Sequence, residues 1–201
     1  MKKARIAVLV SGGGTNLQAI IDAQTSGILQ SGEIKLVISN HAGVYALKRA
    51  ANAGIDSAVV LKKDWGSQAA FESRIKQLLS QNRIDLIVLA GFMSILSEDF
   101  TKDYPRRILN VHPSLIPSFC GAGFYGLRVH EAALRYGVKV TGATVHYVNE
   151  IPDGGEIIFQ KAVEIQDGDT PEILQRRVME QAEWKILPAA VEKVSKQLIG
   201  G

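Results

Sequence analysis

A chain of 201 residues, 46% apolar and 21% charged, has the make-up of an ordinary folded globular protein and not of a disordered polymer. Its 23 basic and 20 acidic residues leave a formal charge of +3, and no run of lysine or arginine exceeds two, so nucleic acid is not an expected partner. A single cysteine, Cys120, excludes an internal disulfide, and no stretch approaches the ~20 apolar residues of a membrane span.

The N-terminus shows a short apolar run, RIAVLV (residues 5–10), too brief for a signal h-region and ending in glycines, not in a cleavage site. It reads as a buried strand. Leu17, Ile20 and Ile21 then fall at helical spacing, closed near Gly27. A strand at 33–39, a helix at 44–54 ending on Gly54, and a short strand at 57–60 follow. Phe71, Ile75, Leu78 and Leu79 share one face of a helix over 67–82. The most hydrophobic strand, 84–90, is expected at the sheet centre; a helical turn at 97–103 leads to a strand at 107–111. This alternation predicts an α/β fold: an open, doubly wound, mostly parallel sheet with helices on both faces, binding ligands beyond the carboxyl ends of its strands.

The second half differs. A Gly- and Pro-rich loop (113–126) and a helix (129–137) precede two ten-residue strands, 139–148 and 156–165, which read as an antiparallel pair. Thr170 and Pro171 supply an N-cap and a first-turn proline to a long helix running to about Gln197, interrupted by Pro188. No linker is evident. The expectation is one domain over 1–201, cytoplasmic, without membrane partner, a monomer or homodimer.

Three segments carry candidate chemistry. SGGGTN (11–16), between a strand and a helix, lets backbone N–H groups converge on an anion at the helix N-terminus, with Asn16 adding an amide. No P-loop lysine follows, so nucleoside triphosphate hydrolysis is disfavoured. In NVHPSLIPS (110–118), Asn110 and His112 are two apart and point to one face of a strand, a carboxamide beside an imidazole. That pair suits an oxyanion and a proton transfer. In VHYVNEIPDGG (145–155), Asp153 lies in a Gly-bounded turn from which a carboxylate beside His112 would raise the imidazole pKa. His146 reads as a structural residue, or one acting through its neighbours. Cys120 has no helix N-terminus to activate it as a nucleophile. His41, His112, His130 and His146 lack zinc spacing, and VHEAAL lacks the second histidine of HExxH, so no metal is expected.

Taken together, SGGGTNLQAII, DLIVLAGFMSIL (85–96), ILNVHPSLIPSF (108–119) and GATVHYVNEIPDGGEII (142–158) resemble the phosphoribosylglycinamide formyltransferases, a branch of the folate-dependent formyltransferase family, over about residues 5–190. The resemblance implies transfer of the formyl group of 10-formyltetrahydrofolate, as co-substrate, to the amine of glycinamide ribonucleotide in de novo purine biosynthesis. It implies that Asn110 and His112 stabilise the tetrahedral oxyanion, with His112 as general acid and Asp153 holding and charging it. Gly14, Thr15 and Asn16 would bind the phosphate and Glu183 the ribose. Met93, Ser94, Ile95 and Leu96, with Asn110, would line the folate pocket, closed opposite by the turn Glu150–Asp153. The chain departs from the family at Ser94 and Gln68, where arginines are usual, and in a longer 119–128 loop offering Phe124 or Tyr125 as lid residues. It also carries one extra residue before Glu183. Alternatives are a formyltetrahydrofolate hydrolase, a formyltransferase acting on another phosphorylated amine, or a non-catalytic binding module.

Overall fold

The computed structural model describes residues 2–200. Strand β1 (Ala4–Val10) shows why a continuous apolar run belongs at the middle of a sheet: Ile6, Val8 and Val10 enter one core while Ala7 and Leu9 enter the other. The remaining strands are β2 (Gly32–Ser39), β3 (Ser57–Val59), β4 (Leu86–Leu89), β5 (Ile108–His112), β6 (Val140–Tyr147) and β7 (Ile157–Glu164). They form one seven-stranded sheet in the order β3-β2-β1-β4-β5-β6-β7, so the expected central strand, β4, is the middle one. β3 to β5 pair parallel throughout, as expected for a doubly wound sheet. β6 runs antiparallel to both of its neighbours, so it is the one reversed strand of the sheet and β7 regains the common direction.

Helices α1 (Thr15–Thr25), α2 (Tyr45–Asn52), α3 (Gln68–Gln81), α4 (Glu98–Lys102), α5 (Leu127–Tyr136), α6 (Pro171–Val178) and α7 (Trp184–Gly200) cover the two faces. One core joins the sheet to α1, α6 and α7 through residues such as Leu17, Ile20, Leu174 and Leu187; the other joins it to α3 and α4 through Phe71, Ile75, Leu79 and Phe100. Ser67, Ser97 and Thr170 cap α3, α4 and α6 by accepting a hydrogen bond from the N–H three residues on.

The expected break at Pro188 is not where the last helix breaks. Pro188 is buried inside α7, and the irregular stretch is a π turn at Met179–Glu183 that joins α6 to α7. Such a turn accommodates one residue more than α-helical geometry allows. Pro188 follows it closely, as the fifth residue of α7, where its missing N–H removes one helical bond without ending the helix.

Of the three glycines after β1, the fold demands only one. Gly14, the N-cap of α1, has φ 73°, and a Cβ there would lie 2.6 Å from Ala46 Cβ, whereas Cβ atoms at Gly12 and Gly13 would meet nothing within 4 Å. Gly14→Ala is therefore expected to lower unfolding stability by about 1–3 kcal/mol through strain and overlap with α2. Gly12→Ala should stay within about 0.5 kcal/mol of the parent. Urea denaturation of both variants checks the contrast; equal stabilities would contradict it.

Candidate active site

The end of β5 carries the first two candidate residues, and the reversal of β6 supplies a third. Asn110 stands opposite His146 and His112 opposite Thr144, so the antiparallel return sets a second imidazole beside the carboxamide. Between β6 and β7 the register slips at His146, a bulge next to the site. The chain then turns back through Asp153, a non-glycine residue at φ 56°, a conformation Asp tolerates better than most.

That turn brings the Asp153 carboxylate into the cluster. Oδ2 accepts a 2.9 Å hydrogen bond from the Gly121 N–H and lies 3.5 Å from His112 Nδ1; Oδ1 lies 3.6 Å from His146 Nε2 and 3.5 Å from Asn110 Nδ2. Two carbonyls define how the rings are protonated. His112 Nε2 faces Phe119 O at 2.9 Å and must donate, leaving Nδ1 toward Asp153. His146 Nδ1 faces Tyr147 O at 2.8 Å and must donate likewise, so its Nε2 accepts from Asn110 Nδ2 at 3.2 Å. His146 thus orients the Asn110 amide.

The expected rise in the His112 pKa is not found. Burial, at 4% exposure, pushes the ring below its ordinary value, and the attraction of Asp153 and the Phe119 carbonyl offsets this only in part. The ring starts neutral. Burial pushes the Asp153 carboxyl up, but the neighbouring His146 and His112 rings, which attract it whenever they take up a proton, and the Gly121 N–H together hold it below the usual carboxylate range. Cys120, whose thiol burial pushes up, has none of the features of an activated nucleophile.

These groups face a cavity of about 620 Å³. Its lining includes Asn110, His112 and Asp153, the segment Met93 to Leu96, Asn16 and Glu183, and Phe124, Tyr125 and the turn Glu150–Asp153. Asn16 Nδ2 donates to Glu183 Oε2 at 2.7 Å. Burial raises the Glu183 carboxyl to about 6 against the pull of that bond. The π turn ends at Glu183, whose side chain lines the cavity. Gly14 and Thr15 do not line this space. Gly14 is packed on α2, and Thr15 touches the Met179 sulfur at 3.8 Å and borders a separate hollow between α1 and α7. Gly14 offers the α1 N-terminus no capping side chain, so no side-chain cap covers the first N–H groups of that helix. Among the described residues, no cluster of three or more His, Cys, Asp or Glu side chains is arranged to hold a metal ion.

His130 is the cavity residue that sequence reasoning weighed only as a zinc ligand. It is fully buried on α5, and neither ring nitrogen has a partner among the described residues. Its only signal in the sequence was a helical histidine following a Gly-rich loop, which a packed core histidine shares. Burial, reinforced by His112, lowers its pKa to about 4. An unfolded chain binds this proton at the ordinary 6.5, so His130 contributes stability above that pH, lost as pH falls toward 4, by about 3 kcal/mol in all. Glu183 acts in the opposite sense as pH rises toward 6. His130→Leu should flatten the acid-side decline relative to the parent in urea titrations from pH 7 to 4; parallel curves would contradict the assignment.

Comparison with known proteins gives a consistent result. The family model described as formyl transferase matches residues 4–191. The trifunctional purine biosynthetic protein adenosine-3 of Gallus gallus is 48% identical over 96% of this chain, which spans only 18% of that protein's length. The phosphoribosylglycinamide formyltransferase of Haemophilus influenzae is 44% identical over 96% of this chain and 86% of its own. Among solved structures, glycinamide ribonucleotide transformylase 1 of Symbiobacterium toebii superposes with a TM-score of 0.91 at 40% identity, covering 97% of this chain and 89% of that one. The phosphoribosylglycinamide formyltransferase of Brucella melitensis superposes with a TM-score of 0.88 at 41% identity, covering 96% of each. Carried over nearly its whole length by these matches, the chain belongs to the formyl transferase family.

Proposed function

We propose that this protein transfers the formyl group of 10-formyltetrahydrofolate to the amine of glycinamide ribonucleotide, a step of de novo purine biosynthesis. The observation that carries the reading is one cavity lined by an amide and an imidazole, each 3.5 Å from one carboxylate, by the segment Met93 to Leu96 and by Asn16 and Glu183. The segment Met93 to Leu96 accepts the folate ring with help from the wall at Glu150 to Asp153. Asn16 and Glu183 accept the ribose side of the ribonucleotide. The open N–H groups at the start of α1 take the phosphate, with Gly14 and Thr15 contributing backbone and not cavity-facing side chains.

In this mechanism the amine nitrogen attacks the formyl carbon, the C=O pair moves onto oxygen, and a tetrahedral intermediate forms. The Asn110 Nδ2 hydrogen that makes only a 3.5 Å contact with Asp153 turns to the oxyanion, while the other stays on His146. Because His112 begins neutral with Nε2 held on Phe119, Nδ1 is the atom that takes the proton shed by the amine. Asp153, within 3.5 Å, stabilises the imidazolium so formed. His112 then returns the proton to the folate nitrogen as its bond to carbon breaks, and N-formylated ribonucleotide and tetrahydrofolate leave. No covalent enzyme intermediate is needed.

An absorbance assay for loss of the folate formyl group, run with and without the ribonucleotide, tests the reading. Turnover that requires the ribonucleotide is expected. Release of formate without it would make the protein a hydrolase, and turnover only with another phosphorylated amine would reassign the acceptor. Asp153→Asn should fold normally and lose about 10²- to 10⁴-fold in kcat; near-normal turnover would remove Asp153 from the chemistry. Since neutral His112 is the proton acceptor and its pKa lies below the ordinary value, kcat should be level at neutral pH and fall on an acid limb below about 6.5. A limb centred above pH 7 in the parent enzyme would contradict that protonation state.

A further inference from the structure

The wall from Met93 to Leu96 has no regular secondary structure of its own, so what holds it in place must reach it from elsewhere. Ser11 Oγ, after β1, accepts from Met93 N at 2.8 Å. Asn40 Nδ2, after β2, donates to Ser94 Oγ at 2.8 Å, and Gln68 Nε2 on α3 donates to Ile95 O at 3.1 Å. The fourth anchor is unusual. Glu72 on α3 is 3% exposed, yet its three hydrogen-bond donors are all neutral: Ser97 N at 2.7 Å and Gln68 Nε2 at 2.6 Å on Oε1, and the Ser97 hydroxyl on Oε2. The same Ser97 hydroxyl accepts from Phe100 N at 3.2 Å as the cap of α4.

Burying a carboxylate without a cation is costly, and capping α4 does not call for it, because Ser97 performs that task with its own oxygen. What the carboxylate adds is rigidity where the wall joins α4. It fixes both polar groups of Ser97 and, through Gln68, the carbonyl of Ile95, so two of the wall's attachments lead back to one side chain. Three donors converging on one buried side chain suit a single anchor for an otherwise irregular segment.

We propose that Glu72 is a positioning residue that sets the affinity for the formyl folate by holding the wall Met93–Leu96, without touching the ligand. The proposal rests on the reading of that wall as the folate side of the cavity. Glu72→Gln keeps the shape but loses one acceptor, and Ser97→Ala removes the hydroxyl from the other side and leaves Glu72 itself in place. Both are made in the full chain and compared by steady-state kinetics with each substrate varied in turn, and by amide hydrogen exchange. Glu72→Gln is expected to raise the KM for 10-formyltetrahydrofolate roughly tenfold and Ser97→Ala roughly threefold. The KM for the ribonucleotide and kcat at saturation should stay within about twofold. Exchange should quicken over 92–100 and not over 108–112.

An unchanged folate KM in either folded variant would overturn the proposal, as would a joint rise of both KM values with a fall in kcat, the pattern of general loosening. If Glu72→Gln does not fold, Ser97→Ala decides. A parent enzyme that turns over no formyl folate would remove the ligand and with it the proposed role. Quickened exchange confined to 92–100 would then show the failure to lie in the functional reading and not in the anchor.

Discussion

The site depends on where one carboxylate is held. Asp153 comes from an irregular turn beyond β6, yet it touches residues of β5, β6 and the loop after β5 at once. A single N–H, from Gly121, pins Oδ2 and so ties the long loop to the turn. Without that tie the carboxylate would relax toward water, and His112 would sit in a buried pocket with nothing to balance a positive charge. The left-handed backbone at Asp153 is the local cost of bringing it there.

Around this carboxylate the buried ionisable groups are set against one another. His112 and His130 are both driven toward neutrality, the Glu183 pKa is raised, and Asp153 is held in its ionised form. The cavity therefore keeps the Asp153 carboxylate beside a His112 ring that starts neutral. A transition state that passes a proton through His112 gains most from such an arrangement, because the charge it develops appears where a partner already waits.

Much of this was legible in the residues. Short apolar runs, that of β4 above all, located the sheet, and the two-residue spacing of Asn110 and His112 placed them on one face. The union of Asp153 with them followed from the resemblance and from the Gly-bounded turn, not from any periodicity. Other features were not readable in advance. The sign of the His112 shift depends on how deeply the ring is buried, a tertiary quantity that no local motif encodes. The role of His146 needed the antiparallel pairing of β5 with β6, which the hairpin signal between β6 and β7 did not reveal. Pro188 misled because a proline in a helical pattern is the stronger cue to a break, whereas a π turn leaves almost no mark in composition. Gly12 and Gly13 read as parts of the turn, but only Gly14 is sterically required by it.

The π turn at Met179–Glu183 has a consequence for how the C-terminal segment can vary. Each residue added to a regular helix rotates everything beyond it by about 100°. Were the extra residue spread along the helix, either the apolar face of α7 would leave the sheet or that of α6 would, because both are buried against the same core. Confining it to one wide turn separates the two phases: α6 and α7 each keep the face that packs, and Glu183 stays at the junction. Length changes of one residue are thus tolerated at this junction, whereas the same change inside α7 would put Leu187, Ala190, Val191 and Val194 out of step with the sheet.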